Sequence, residues 1–378
     1  MISSAYIHIP FCEHICHYCD FNKVFLKNQP VEEYLSLLKK EMELTLHQYK
    51  TDQLKTIYVG GGTPTALNEE QLEQLCLSIN ETLPYDRENV EYSFEANPGD
   101  LSERKLAILK EYGVNRLSFG VQSFNDELLK KIGRAHRAAD VFTTLDKARD
   151  AGFENISIDL IYALPGQTLE DFCDTLKTAM SLELPHFSGY SLIIEPKTVF
   201  YNLLQKGRLT LPPEESEAAM FEMLMEQMEL HGYSQYEISN FAKPGYESRH
   251  NLTYWNNENY YGFGAGAHSY LADKRRANHG PLKKYFAPLL EGNLPVIEEN
   301  TVTVKEQMEE EMFLGLRKTK GVSLSGFQSK FHRPLMEVFG EEIKREIELG
   351  RLVLEEGFLK LSKQGKFLGN EVFQAFLK

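Results

Sequence analysis

Six short apolar runs, each followed by a longer stretch, fill the first half of the chain. They are Ala5-Tyr-Ile-His-Ile, Thr56-Ile-Tyr-Val, Val90-Glu-Tyr-Ser-Phe-Glu, Arg116-Leu-Ser-Phe-Gly, Asn155-Ile-Ser-Ile-Asp-Leu-Ile-Tyr and His186-Phe-Ser-Gly-Tyr-Ser-Leu-Ile-Ile. Between them lie helical stretches at 30–46, 69–83, 102–112, 138–151 and 169–182. Strand alternating with helix implies βαβ units and a parallel sheet. Six repeats are too few to close an eight-stranded barrel. The expectation is an α/β fold built on a curved, incomplete (β/α)6 barrel.

In parallel barrels the functional residues sit where the strands end. Here the strands run out into small or polar residues: Gly60-Gly-Gly-Thr-Pro-Thr, Glu95-Ala-Asn-Pro-Gly, Gly120-Val-Gln-Ser and Asp159-Leu-Ile-Tyr-Ala-Leu-Pro-Gly. The first strand leads into Cys12, Cys16 and Cys19, spaced C-x3-C-x2-C. Three thiolates hold three irons of a cubane [4Fe–4S] cluster, whereas a fully ligated cluster uses four. The fourth iron is then open to a small molecule.

Zinc is the competing reading, since His8, His14 and His17 are near enough in sequence to complete a four-ligand site. Structural zinc sites come as two paired clips, and no second C-x2-C or H-x3-H occurs. A disulfide framework fits less well: the five cysteines are an odd number, and Met1-Ile-Ser-Ser-Ala-Tyr has neither the basic segment nor the apolar run of a secretory signal. Cys76 and Cys173 fall in apolar helical patterns and read as small buried core residues.

The net charge is −14 with no basic block, which argues against nucleic acid as a partner. No apolar stretch is long enough to span a membrane. Reduced cysteines without a targeting segment point to the cytoplasm. Peripheral membrane contact stays open. The chain divides into a barrel over 1–210, an extension over 211–300 and a carboxyl-terminal part over 301–378. The last holds three short helices and an alternating Leu352-Val-Leu-Glu-Glu-Gly-Phe-Leu-Lys-Leu hairpin, like a winged-helix module. Its Glu309-Glu-Glu and Glu341-Glu carry the wrong charge for DNA and favour partner docking or lid duty.

Three glycines from Gly60 let the backbone approach a ligand closely and offer N–H groups to an anion. They lack the lysine of a P-loop. The carboxylates Glu95 and Asp159 suit a cationic ligand, or else cap the following helices. Arg249-His-Asn-Leu-Thr-Tyr-Trp255 holds the only tryptophan and is followed by a glycine-rich turn. A histidine among aromatic residues is more often a satisfied core residue than a ligand, but an imidazole there can also serve a flat macrocycle as axial iron ligand.

The cysteine motif resembles that of the radical S-adenosylmethionine (SAM) superfamily, in which the open iron binds SAM. That resemblance implies that an electron from the cluster cleaves SAM to methionine and a deoxyadenosyl radical. Taken with Gly60-Gly-Gly-Thr-Pro, Phe119-Gly-Val-Gln-Ser-Phe and Asp159-Leu-Ile-Tyr-Ala-Leu-Pro-Gly, it extends over nearly the full chain to the oxygen-independent coproporphyrinogen III oxidase superfamily. Two branches of that superfamily are alike, the decarboxylating oxidases and the HemW-type heme chaperones. Oxidases carry an additional cysteine two residues after the third, where this chain has Phe21, and a longer arm before the motif. His250-Asn-Leu-Thr-Tyr-Trp255 matches the His-Asn-x-x-Tyr-Trp signature of the chaperone branch. The resemblance implies a radical SAM barrel with Cys12, Cys16 and Cys19 on the cluster. It places Tyr6, Gly61, Gly62, Thr63, Glu95, Gln122, Arg134 and Asp159 on SAM, Tyr18 near the adenine, and His250 on heme. An acceptor apoprotein for heme is the implied partner. The enzymatic alternative is decarboxylation of the propionates of coproporphyrinogen III.

Overall fold

A computed structural model describes residues 2–377. The strands are β1 (Ser4–Ile9), β2 (Phe11–Cys12), β3 (Val24–Phe25), β4 (Thr56–Gly61), β5 (Glu91–Ala96), β6 (Arg116–Gln122), β7 (Asn155–Tyr162) and β8 (His186–Ser191). Around them run α1 (Val31–Gln48), α2 (Glu69–Thr82), α3 (Glu103–Glu111), α4 (Asp126–Lys131), α5 (Ala138–Asp150) and α6 (Leu169–Ser181). Local chemistry sets these helix starts: the Asn68 and Thr168 side chains accept from the backbone amides of Gln71 and Asp171, which reach back in capping boxes.

β1, β4, β5, β6, β7 and β8 pair in parallel in that order, as the alternating pattern implies. They form the middle of an open, twelve-stranded sheet. The later chain extends that same sheet at both edges. Two helices, α7 (Val199–Gln205) and α8 (Glu214–Leu230), lead to β9 (Ser234–Glu237) and β10 (Asn240–Ala242); β10 lies antiparallel on β8. Then α9 (Arg249–Trp255) leads to β11 (Tyr260–Phe263), which joins the other edge parallel to β1. The antiparallel strands β12 (His268–Leu271), β13 (Lys274–Asn278) and β14 (Val296–Thr301) follow, with α10 (Leu282–Leu290) before the last. The main core lies between the sheet and its helices, and Cys76 is fully buried in it, whereas Cys173 is only partly covered.

The carboxyl-terminal part has a core of its own, around Met312, Phe327, Phe339, Ile343 and Leu359. It comprises α11 (Val304–Gly315), β15 (Val322–Ser323), α12 (Leu324–Phe331), α13 (Leu335–Glu348) and the hairpin β16 (Leu352–Glu355) and β17 (Phe358–Leu361). Glu356 and Gly357, both with positive φ, make the hairpin turn. Two further short helices end the chain. No helix among the described residues is long and apolar enough to cross a membrane.

Candidate functional site

The strand ends converge on a cavity of about 430 Å³. Cys12, Cys16 and Cys19 all line it as free thiols. Pairing of β2 with β3, closed by Leu26 N–H to the Cys12 carbonyl at 2.9 Å, pins the start of the cysteine loop. Thr63 Oγ1 donates to Cys12 Sγ at 3.6 Å and Arg134 Nη1 to Cys16 Sγ at 3.4 Å. Burial raises the Cys12 thiol to about 11, so deprotonation there needs a cation.

The donor set fits a cubane better than zinc. Two of the three imidazoles named for a zinc site are engaged elsewhere: His8 lies between the Tyr6 hydroxyl at 3.0 Å and the Asn22 carbonyl at 2.7 Å, and His17 Nδ1 meets the Lys131 carbonyl at 3.0 Å, while His14 lines the cavity. No three His, Cys, Asp or Glu side chains among the described residues converge tightly enough for one ion. A cubane asks for less convergence, with each thiolate on its own iron. When bound, such a cluster supplies one-electron chemistry and an open iron for SAM.

Opposite the cysteines, Gly61, Gly62, Thr63, Glu95, Gln122, Arg134 and Asp159 line the same cavity, as does Tyr18. The glycine turn does not work as an anion nest, which corrects the expectation above. Its amides are already used: Gly61 N–H donates to Glu95 Oε2 at 2.9 Å, and those of Gly62 and Thr63 go to the Ile9 and Phe11 carbonyls at 2.8 Å. The glycines are there for close approach. A Cβ on Gly60 would stand 2.6 Å from the Glu95 carboxyl carbon, and one on Gly61, at φ +111°, 2.4 Å from the His8 ring.

Burial pushes Glu95 up to about 7, against the opposing pull of the Gly61 amide and the Tyr58 hydroxyl. Asp159 is likewise raised by burial, although the Ser188 and Ser118 hydroxyls hydrogen-bond it. Carboxyls poised in this way gain their charge when a cation arrives. Gln122 sits at φ +68° on a bulge between β6 and β7, an unfavourable conformation for a residue with a side chain and one that aims it at the cavity. Arg134 is held by Asn97 Oδ1 at 2.6 Å and by the Gly120 carbonyl.

Two of the expected residues stand apart. Tyr6 lies behind the cavity wall, its ring 6.2 Å from that of Tyr58. His250 is buried on α9, with Nδ1 at 2.8 Å from Thr56 Oγ1 and Nε2 at 2.8 Å from the Tyr254 hydroxyl. Burial holds its pKa down to about 3, so the ring is neutral. Thr56 opens the strand whose far end carries the glycines, about 17 Å away by strand rise. The structure therefore does not bring His250 to the cysteine end, although Ser248 and Asn251 of the same segment line the cavity floor.

Sequence reasoning missed Asn97, which ties Arg134 to Thr63 and Asp100. Its place two residues after Glu95, on the same face of the strand path, was the available signal. It also missed the inward-facing Arg116 and His186, which looked like ordinary strand starts. At the mouth, Phe21 and Ile193 are 62% and 66% exposed, an apolar rim above a polar interior.

A cysteine-lined cavity at the strand ends of an open parallel barrel defines a radical SAM protein, and the family model of the Radical SAM superfamily matches residues 6–179. That of the HemN C-terminal domain matches 302–368. The solved coproporphyrinogen III oxidase (HemN) from Escherichia coli, a radical SAM enzyme, superposes with a TM-score of 0.86 at 25% identity, over 99% of this chain and 90% of that one. Among curated relatives, the heme chaperone HemW of Bacillus subtilis is 58% identical over 100% of this chain and 99% of its own length. That of Lactococcus lactis is 47% identical over 99% and 97%. The chain belongs to the HemW family.

Proposed function

We propose that the protein is a heme chaperone, which binds heme and passes it to an acceptor apoprotein. The 58% identity to a heme chaperone along essentially the whole chain carries this reading. Cys12, Cys16 and Cys19 hold a [4Fe–4S] cluster, and SAM lies against Tyr18, Gly61, Gly62, Thr63, Glu95, Gln122, Arg134 and Asp159. Tyr6 supports that wall from behind. SAM at the cluster is a control element: it biases heme release only if it binds the two states differently.

His250 is the heme ligand in this reading, and the arrangement with both ring nitrogens engaged is the closed state. Ligation requires the Tyr254 hydroxyl to let go of Nε2 and α9 to move outward. Residues 1–210 carry the cluster and SAM, 211–300 the heme motif, and 301–378 the docking module, whose separate core supports its treatment as a unit. Five free cysteines suit the reducing cytoplasm.

The test uses anaerobic, cluster-loaded protein. Titration with heme should give a saturable absorbance band, and a heme-free acceptor added afterwards should take it up. With SAM, a reductant and coproporphyrinogen III, no protoporphyrinogen IX should form. Rapid turnover in that mixture would instead establish the oxidase chemistry of the related branch.

A further inference from the structure

Below the level of Glu95 and Gln122 the barrel interior is not filled in the usual way. Parallel barrels pack their interior with Val, Ile and Leu. Here the inward positions include Ser93, Arg116, Ser118, His186, Ser188 and Asn240, most of which also line the cavity. Arg116 opens β6 and is 3% exposed, and its Nε and Nη1 meet no acceptor among the described residues. Ser93, its register partner on β5, has a buried hydroxyl with no partner, and so has the Asn240 side-chain oxygen.

A guanidinium stays protonated inside a protein, and burying it uncompensated is costly. Asp159 lies near enough for Arg116 to pull its pKa down and so offsets part of the charge, but Nε and Nη1 still meet no acceptor among the described residues. Asp159 takes the Ser118 and Ser188 hydroxyls, and Glu237 takes Asn240 Nδ2 and the Ser239 amide. His186 cannot answer the charge, because Ser157 Oγ holds Nδ1 at 2.7 Å and the Tyr236 hydroxyl holds Nε2 at 2.8 Å. Bound water can serve Ser93 and Asn240. For Nε and Nη1 of Arg116 a neutral water is a weaker partner than an ionised acceptor.

We infer that the floor of the barrel is a binding site for a carboxylate, held by Arg116 and reached through the cavity. Guanidinium N–H donors without an acceptor call for an anionic acceptor, and the planar guanidinium matches a carboxylate in shape. The carboxylate comes either from a free small acid or from an acidic arm of a larger ligand; α9, which carries His250, closes this same floor through Ser248 and Asn251.

Calorimetric titration of the cluster-loaded protein with propionate, and with its neutral isostere propionamide, tests the site without any variant. Propionate should bind and propionamide should not. Arg116→Gln should weaken propionate binding at least about tenfold, since one partner of a buried charge pair is removed, while Arg116→Lys should keep part of it. A second arm compares heme with heme dimethyl ester. If the source is an arm of heme, the free acid binds more tightly than the ester and Arg116→Gln erases the difference; if it is a free acid, the two hemes bind alike while propionate still depends on Arg116. Either pattern supports the site. Equal binding of propionate and propionamide, or no propionate binding together with no preference for the free acid of heme, overturns it and leaves a chamber of water. Because heme binding by the wild-type chain is read separately, loss of this site and loss of the chaperone reading are distinguishable.

Discussion

The Tyr254 hydroxyl lies 2.8 Å from His250 Nε2, one turn further along the same helix, and their rings meet edge to face at 5.0 Å. The i, i+4 spacing puts both side chains on one helix face. With Thr56 on Nδ1 and the Tyr58 ring stacked at 5.1 Å, the imidazole is held on every polar side. Any iron at Nε2 competes with a tyrosine from the same Tyr-Trp motif.

That competition has a predictable size. Tyr254→Phe removes the hydrogen bond and frees Nε2, which at about 1 kcal/mol net should tighten heme binding roughly fivefold. His250→Ala should weaken heme binding strongly while the iron–sulfur absorbance is unchanged. Spectral titration of both variants decides the matter: heme affinities equal to wild type in both would make His250 a core residue only.

Arg134 bridges Cys16, Asn97 and the Gly120 carbonyl, and so joins the cysteine loop to two strand ends. Arg134→Ala should raise the SAM dissociation constant by at least tenfold, in line with about 2–5 kcal/mol for truncating a buried charged partner. Lysine should recover part of that loss, keeping the charge without the fork. Equilibrium dialysis with labelled SAM measures it, and unchanged affinity in the alanine variant would remove Arg134 from the site.

The six-fold alternation of strand and helix was legible because each strand carries apolar residues at alternate positions, such as Tyr92 and Phe94 or Leu117 and Phe119, and each is followed by a longer stretch with apolar residues at helical spacing. The strand-end residues were legible for the same reason, since position in a barrel repeat fixes which end faces the ligand. The far edges of the sheet were not. Tyr260–Phe263 looks like part of a glycine-rich turn, and only its register with Ser4 to Ile7 of β1 makes it a strand. Arg116 escaped notice because a charge at a strand start normally reaches solvent, and only the small inward neighbours Ser93 and Ser118 show that it points into the barrel. The engagement of His250 by Thr56, almost two hundred residues earlier, lies in no local pattern at all.

Gly61 and Gly113 separate two roles of glycine. Both have positive φ, +111° and +91°, but a Cβ on Gly113 meets nothing nearer than Arg87 at 3.8 Å, whereas one on Gly61 meets the His8 ring at 2.4 Å. Gly113→Ala should therefore cost about 1 kcal/mol from backbone conformation alone. Gly61→Ala should cost roughly 2–4 kcal/mol, because overpacking against His8 is added to strain, and should weaken SAM binding as the Gly61 amide that holds Glu95 shifts. Urea unfolding of the two variants tests this, with equal destabilisation the contrary result.

Glu41 gives the fold a dependence on pH. Its carboxylate is buried among the Gly264 amide, Asn278 Nδ2 and the Tyr285 hydroxyl, at 2.8, 2.6 and 2.5 Å. Burial nevertheless raises its pKa from 4.5 to about 7. Between those two values the unfolded chain has released the proton and the folded chain still holds it. Stability therefore falls as pH rises through this window, and above about 7 the cost levels off at roughly 3 kcal/mol. Glu95, also raised to about 7, adds a second contribution of the same sign when no cation faces it. Urea midpoints recorded anaerobically from pH 5 to 8 should decline with pH, and Glu41→Gln should flatten that decline whatever it does to stability at any single pH. A variant with the wild-type slope would show that Glu41 keeps its charge throughout, with the three donors around it outweighing its burial.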